Sequence, residues 1–157
     1  MKTSLIAASL AALICLGGGA QAAELPKGGM SAKEVQAWLI ERGYKAEAAK
    51  NDEGEDYLKS AGEGVSFEVN FYDCKASRCT SIQFVAGFDL EEKLAADKAN
   101  SWNSAKRYID CFIDEDGDPW FTYDINLSPG GTHEALDDNF GVWLSFLPDM
   151  KQHIGWE

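Results

Sequence analysis

Apolar and polar positions along this chain repeat with two periods, and the changes of period mark its elements. After Ser31, the apolar residues Val35, Trp38 and Leu39 recur at helical spacing. Ser31 and Glu34 have the spacing of a capping box, Met30 and Val35 that of a hydrophobic staple, and Gly43 stops the pattern. Residues 44–49 and 56–61 read as weak strands around the turn NDEGE. Two strong period-2 runs follow, one with Val65, Phe67, Val69 and Phe71 on a single face, the other with Ile82, Phe84, Ala86 and Phe88. Asp89 with Glu92 caps a second helix, in which Leu94, Ala95, Ala99 and Trp102 share a side. Ile109, Cys111 and Ile113 then alternate with polar residues, as do Phe121, Tyr123, Ile125 and Leu127 after an acidic break. Thr132 starts a last helix with Leu136, Phe140, Trp143, Leu144 and Leu147 inward, and Pro148 ends or restarts it. The order αββββαββα predicts an α+β fold, an antiparallel sheet with helices packed on it. Residues 23–30 read as a flexible leader and 31–157 as one domain.

The first strong hairpin carries its own register mark. Setting Cys74 opposite Cys79 places Phe71 against Ile82, Val69 against Phe84, Phe67 against Ala86 and Val65 against Phe88. Every apolar residue then faces an apolar neighbour, and the cysteines staple the polar face around the four-residue loop KASR. A zinc site would need a second paired ligand motif, which Cys111 and two scattered histidines do not supply. A Cys74–Cys79 disulfide is predicted, with Cys111 as a buried, unpaired thiol.

The second hairpin surrounds CFIDEDGDPWFTYDI. A two-residue turn on Asp116-Gly117 would pair Cys111 with Thr122; a three-residue loop, Glu115 to Gly117, pairs Cys111 with Phe121 and Ile109 with Tyr123. The apolar face selects the three-residue loop, with Gly117 at positive φ and the carboxylates fanned out at an exposed tip. An EF-hand reading fails. With Gly117 at position 6, Phe112 and Tyr123 fall where the loop needs its first and last oxygen ligands. Asp114, Asp116 and Asp118 remain weak candidates for holding a cation.

Charge and the first residues bear on the setting. Residues 1–22 have one lysine, an apolar run from Leu5 to Leu16, and small residues ending in Ala20-Gln21-Ala22. That is the pattern of a secretory signal peptide cleaved after Ala22, with a core too short to span a bilayer. Ile14 before Cys15 does not fit a lipid-attachment site. A periplasmic protein without membrane insertion is expected. The full chain has a net charge of −12, and losing Lys2 makes it −13. Such a balance disfavours nucleic acid and anionic membranes as partners.

Catalytic patterns are sparse. HEALD (133–137) approaches the HExxH zinc motif, but Asp137 replaces the second histidine. No serine sits in a G-x-S-x-G elbow and no glycine-rich phosphate loop follows a strand. His153 has no marked partner. The stretch Asn100-Ser101-Trp102-Asn103 with Arg107 offers amides, an indole and a guanidinium where a helix gives way to a strand. These side chains suit either capping of exposed carbonyls or contact with a ligand.

Together, N-x-W-N-x3-R, the acidic D-x-D-G-D turn, a strand bearing Asp124 and a G-G-T helix start resemble the YbjN family, described as putative bacterial sensory transduction regulators. The resemblance spans roughly residues 30 to 155. It implies a fold similar to type III secretion chaperones, small acidic α+β proteins that bind polypeptides and often dimerise. Those chaperones are cytoplasmic, whereas this chain carries an export signal and a disulfide pattern. The family brings no catalytic residues to carry over and no cofactor. The expectation is an exported, non-enzymatic domain that binds a protein or peptide, alone or as a homodimer, with Asn100, Trp102, Asn103, Arg107 and Asp124 as candidate contacts. The alternatives are a small-ligand or cation-binding module at the acidic tip, or a metal-dependent hydrolase around His133.

Overall fold

In a computed structural model describing residues 22–156, the alternating runs form one antiparallel sheet. Its strands are β1 (Glu47–Lys50), β2 (Asp56–Gly62), β3 (Val65–Lys75), β4 (Arg78–Gly87), β5 (Asp110–Ile113) and β6 (Pro119–Asn126), in the spatial order β1-β2-β3-β4-β6-β5. Three helices, α1 (Ala32–Glu41), α2 (Ala96–Ala105) and α3 (His133–Ile154), complete the order αββββαββα. The expected signal segment, residues 1–22, lies outside the described residues except for Ala22. No described helix is long and apolar enough to cross a membrane.

Period-2 alternation buries one face of the sheet. Val65, Phe67, Val69, Ile82, Phe84, Phe121 and Ile125 join Trp38 and Leu39 of α1 and Phe140, Trp143 and Leu147 of α3 in one core. The Trp143 ring stacks on Phe84 at 5.6 Å and meets Phe67 edge-on at 5.7 Å. Each such side chain contributes about 1.5–3 kcal/mol through burial.

Both hairpin registers follow the apolar faces. In the first, Cys74 pairs with Cys79, Phe71 with Ile82 and Val69 with Phe84, and the paired ladder runs from Glu68–Val85 to Lys75–Arg78. The Phe67–Ala86 and Val65–Phe88 pairs expected beyond it are not part of that ladder. The turn is tighter than the expected four-residue loop, because Lys75 and Arg78 still pair. Ala76 and Ser77 alone turn the chain, both at positive φ (49° and 67°). A two-residue turn of that hand matches the twist of the strands. In the second hairpin, Cys111 pairs with Phe121 and Ile113 with Pro119, and the Asp114 N–H donates to the Asp118 carbonyl at 3.0 Å, leaving the three-residue loop 115–117 with Gly117 at φ 84°.

Three further expectations are corrected. First, residues 23–30 are not a free leader. Leu25 N–H donates to the Gly131 carbonyl, Met30 and Cys79 exchange backbone hydrogen bonds, and Leu25 and Met30 are buried. Gly29 passes so close to β4 that a Cβ there would sit 1.8 Å from the Cys79 carbonyl oxygen. Second, α2 starts at Ala96 with no side-chain cap, not at Asp89. The N–H groups of Leu90 and Leu94 are taken by the Asp118 carboxylate and the Gly117 carbonyl, so 89–95 is shaped by the acidic turn rather than by a helix. Third, Pro148 lies inside α3, which continues to Ile154. Burial of Met150 and Ile154 beyond it offsets the missing backbone hydrogen bond.

The disulfide joins Cys74 and Cys79 across the ladder, with a Cα–Cα distance of 3.9 Å, and Cys111 is free and buried. Cys74 is exposed, but Cys79 is buried and its backbone pairs with Met30 of the leader. The Arg78 guanidinium donates to the Gly29 carbonyl at 2.7 Å, so the leader docks on the stapled end of β4. Replacing both cysteines by serine should therefore lower stability by about 2 kcal/mol and speed tryptic cleavage after Lys27. A urea melt and a proteolysis time course read the two effects. Cleavage at Lys27 unchanged in the double variant would show that the staple does not hold the leader.

Candidate functional site

The N-x-W-N segment lies on α2, which packs against β5 at one edge of the sheet. An edge strand presents unpaired N–H and C=O groups. Here they are covered. Asn103 Nδ2 donates to the Cys111 carbonyl at 3.0 Å while Cys111 N–H donates to Asn103 Oδ1 at 2.8 Å. Trp102 Nε1 donates to the Ile109 carbonyl at 2.8 Å, and its ring is buried against Phe121. Burial pushes the neighbouring Cys111 thiol up to about 11, which disfavours the thiolate. The capping reading of Trp102 and Asn103 thus accounts for both residues. Asn100 and Arg107 are exposed, the Arg107 guanidinium lying 5.0 Å over the Tyr108 ring. Asp124 is elsewhere, on the opposite face of the sheet, where Gln83 Nε2 donates to its carboxylate at 3.0 Å. The five candidate contacts do not form one site.

The acidic turn is more ordered than a fan of hydrated carboxylates. Asp114 accepts from the N–H groups of Asp116 and Asp118 and from Trp120 Nε1 at 2.8–3.1 Å. Asp118 accepts from Leu90 N–H at 2.9 Å and from Lys93 Nζ at 2.8 Å. Only Glu115 and Asp116 are fully at the tip. The Asp118 N–H holds the Asp114 carboxyl below the usual carboxylate range, and the Leu90 N–H does so for Asp118. A cation would have to displace these donors. Among the described residues, no group of three or more His, Cys, Asp or Glu is placed to hold a metal ion.

Asp137 of HEALD is likewise occupied. Arg42 of α1 grips its carboxylate with two guanidinium nitrogens, and Trp38 Nε1 donates to it at 2.8 Å. The Arg42 hydrogen bond keeps its pKa low, as the Ser31 N–H does for Glu34 at the α1 cap. The motif straps α1 to α3. His153 also has a partner that the sequence did not mark, the Lys98 carbonyl at 2.9 Å.

Asp114, Asp118, Asp137 and Glu34 all have folded pKa values depressed below their unfolded ones. Their stabilising effect is present above the ordinary carboxylate range, about pH 4, and is lost as pH falls through the folded values. The melting temperature should therefore hold between pH 7 and 5 and fall steeply on further acidification. The slope should be shallower in Asp118→Asn; an identical slope would remove that carboxylate from the account.

The second face of the sheet is the one that carries the polar phase of each strand, with Val85 alone of its two central rows buried. Tyr57, Asn70, Gln83 and Asp124 form one row across β2, β3, β4 and β6, and Glu68, Val85, Thr122 and Asp110 form the next. Tyr72 Oη donates to Gln83 Oε1 at 3.3 Å, extending the polar row to an exposed ring. At the far end Phe112 stacks on Trp120 at 6.4 Å and 8°. The Trp120 ring lies flat against Gly87, where a Cβ would come within 2.8 Å of it. Among the described residues, α1 and α3 pack on the other face and no helix packs on this one. Sequence reading missed it because the polar half of each alternating run was treated as solvated. Aromatic residues at Tyr57, Tyr72, Phe112 and Trp120, all in the polar phase, were the available signal.

Among curated proteins, none matches the chain at a significant level. The model of the YbjN family, described as a putative bacterial sensory transduction regulator, matches residues 31–155. That match takes in all three helices, all six strands and the edge-capping Trp102 and Asn103, and this chain belongs to the YbjN family.

Proposed function

We propose that this is an exported, periplasmic, non-enzymatic YbjN domain that binds a protein or peptide partner on the open face of its sheet. One observation carries the reading. Among the described residues, the six-stranded sheet keeps one face free of helices and sets exposed Tyr72 and Phe112, 44% and 48% accessible, around a polar centre. Aromatic rings with polar tips or polar neighbours are the residues that partner surfaces favour. The regulator-like family supports the same class of role. The groups that suggested chemistry (Asp114, Asp118, Asp137 and Cys111) are engaged in holding the fold or buried, so the cation and hydrolase alternatives gain nothing from the geometry.

The test places a photo-crosslinking amino acid at Tyr72, at Gln83, or at Asp138 on the exposed side of α3, in cells that export the protein. Covalent adducts should form from the first two positions in the periplasmic fraction and not from Asp138. Adducts from Asp138 alone would contradict the open-face assignment. The purified protein should begin at Ala23 by mass spectrometry, and a retained residue 1–22 segment would overturn the compartment.

A further inference from the structure

We infer that the partner offers a basic segment, and that the end of the open face nearest the β1–β2 turn receives its cationic side chains. The inference rests on the open-face reading and adds the chemistry of the occupant. A cleft of about 390 Å³ lies where that face meets the turn, its charged lining being Asp52, Glu55, Asp56 and Glu68 against one ammonium, Lys50, with Tyr57 and Tyr72 beside them. Its carboxylates are not equally engaged. Asp56 is paired with Lys50 at 2.6 Å and Glu55 accepts from Asn51, whereas the Asp52 and Glu68 carboxylates accept no hydrogen bond among the described residues, Glu68 having Lys59 opposite it on β2. The turn itself is fixed, because Asn51 Oδ1 accepts the N–H groups of Glu53 and Glu55.

The charge of the whole face points the same way. Across its paired positions, Glu47, Glu68, Asp110 and Asp124 stand against a single ammonium, Lys59. Lys59 also shows how a cation sits here, its Nζ lying 5.6 Å over the Tyr57 ring. An arginine or lysine of a partner can repeat that contact on Tyr72 and pair with Glu68. An acidic segment, nucleic acid or an anionic lipid surface would meet carboxylates on a chain of net charge −12. An apolar segment would have to desolvate Asn70, Gln83, Thr122 and Asp124 at the centre of the face. A basic segment fits both constraints.

The probe is an octapeptide of alternating arginine and serine, with the glutamate–serine octapeptide as its opposite, followed by fluorescence anisotropy. The arginine peptide should bind and weaken as salt rises, while the glutamate peptide should not bind. Asp52→Asn with Glu68→Gln should lower the affinity by roughly fivefold or more, since each exposed ion pair adds a factor of a few. Glu134→Gln with Asp138→Asn, which removes the same charge from α3, should change it less than twofold. Equal binding of the two peptides, or an equal loss in the α3 variant, would overturn the inference. If crosslinks form at Tyr72 but the arginine peptide fails to bind, the basic-segment chemistry is wrong and the open-face reading stands. If both fail, the open-face reading falls with it.

Discussion

Trp102→Ala should destabilise the domain by about 3–5 kcal/mol, the range for truncating a fully buried tryptophan. Trp102 is 1% exposed, packs edge-on against Phe121 at 4.8 Å, and holds the Ile109 carbonyl at the edge of the sheet. The alanine variant would open a cavity between α2 and β5 and leave that carbonyl without its donor. Trp102→Phe keeps most of the ring and loses the hydrogen bond, and should cost about 1–2 kcal/mol. Urea denaturation of the three proteins gives the ranking. A stable Trp102→Ala protein that had lost only partner binding would make the tryptophan a contact residue, contrary to the edge-capping account.

Gly117→Val is the second large effect. Gly117 has φ 84°, and a Cβ there would meet Lys93 Cβ at 2.6 Å. A β-branched residue forced to positive φ costs on the order of 1–3 kcal/mol, and the collision adds to it. The loss should spread beyond the turn, because the Gly117 carbonyl and the Asp118 carboxylate order residues 89–95. Hydrogen exchange at Leu90 and Leu94 should speed up together with global destabilisation. Glu115→Gln should be close to silent, since Glu115 is exposed and makes no bond among the described residues. Asp118→Asn should fall between the two. Melting curves for the three variants measure the order, and equal effects for Glu115 and Asp118 would return the turn to a solvated tip.

Much of this fold was legible because period-2 patterns fix faces and, through them, register. The disulfide pair, the three-residue acidic loop and the Ser31–Glu34 capping box all follow from local spacing. What was missed depends on partners far away in sequence. Asp89 and Glu92 look like a helix start only until Asp118, 28 residues beyond Leu90, claims the Leu90 N–H. The leader looks free until Cys79 meets Met30. Pro148 looks like a stop until the burial of Ile154 is known. The candidate site suffered the same limit. Asn103 and Trp102 carry polar groups that suit a ligand, and only the edge strand of the fold shows them already satisfied. The open face was hidden for the opposite reason, because nothing in the polar phase of a strand says whether a neighbour covers it.

The measurement that bears most directly on the open face uses the indole N–H signals of the ¹⁵N-labelled protein. Trp120 stands on that face, Trp102 at the β5 edge, and Trp38, Trp143 and Trp156 on the helix side. On titration with the partner recovered by crosslinking, the Trp120 signal should shift while those of Trp38, Trp143 and Trp156 stay in place. Movement of Trp38 or Trp156 with Trp120 unchanged would put the partner on the helices and contradict the account.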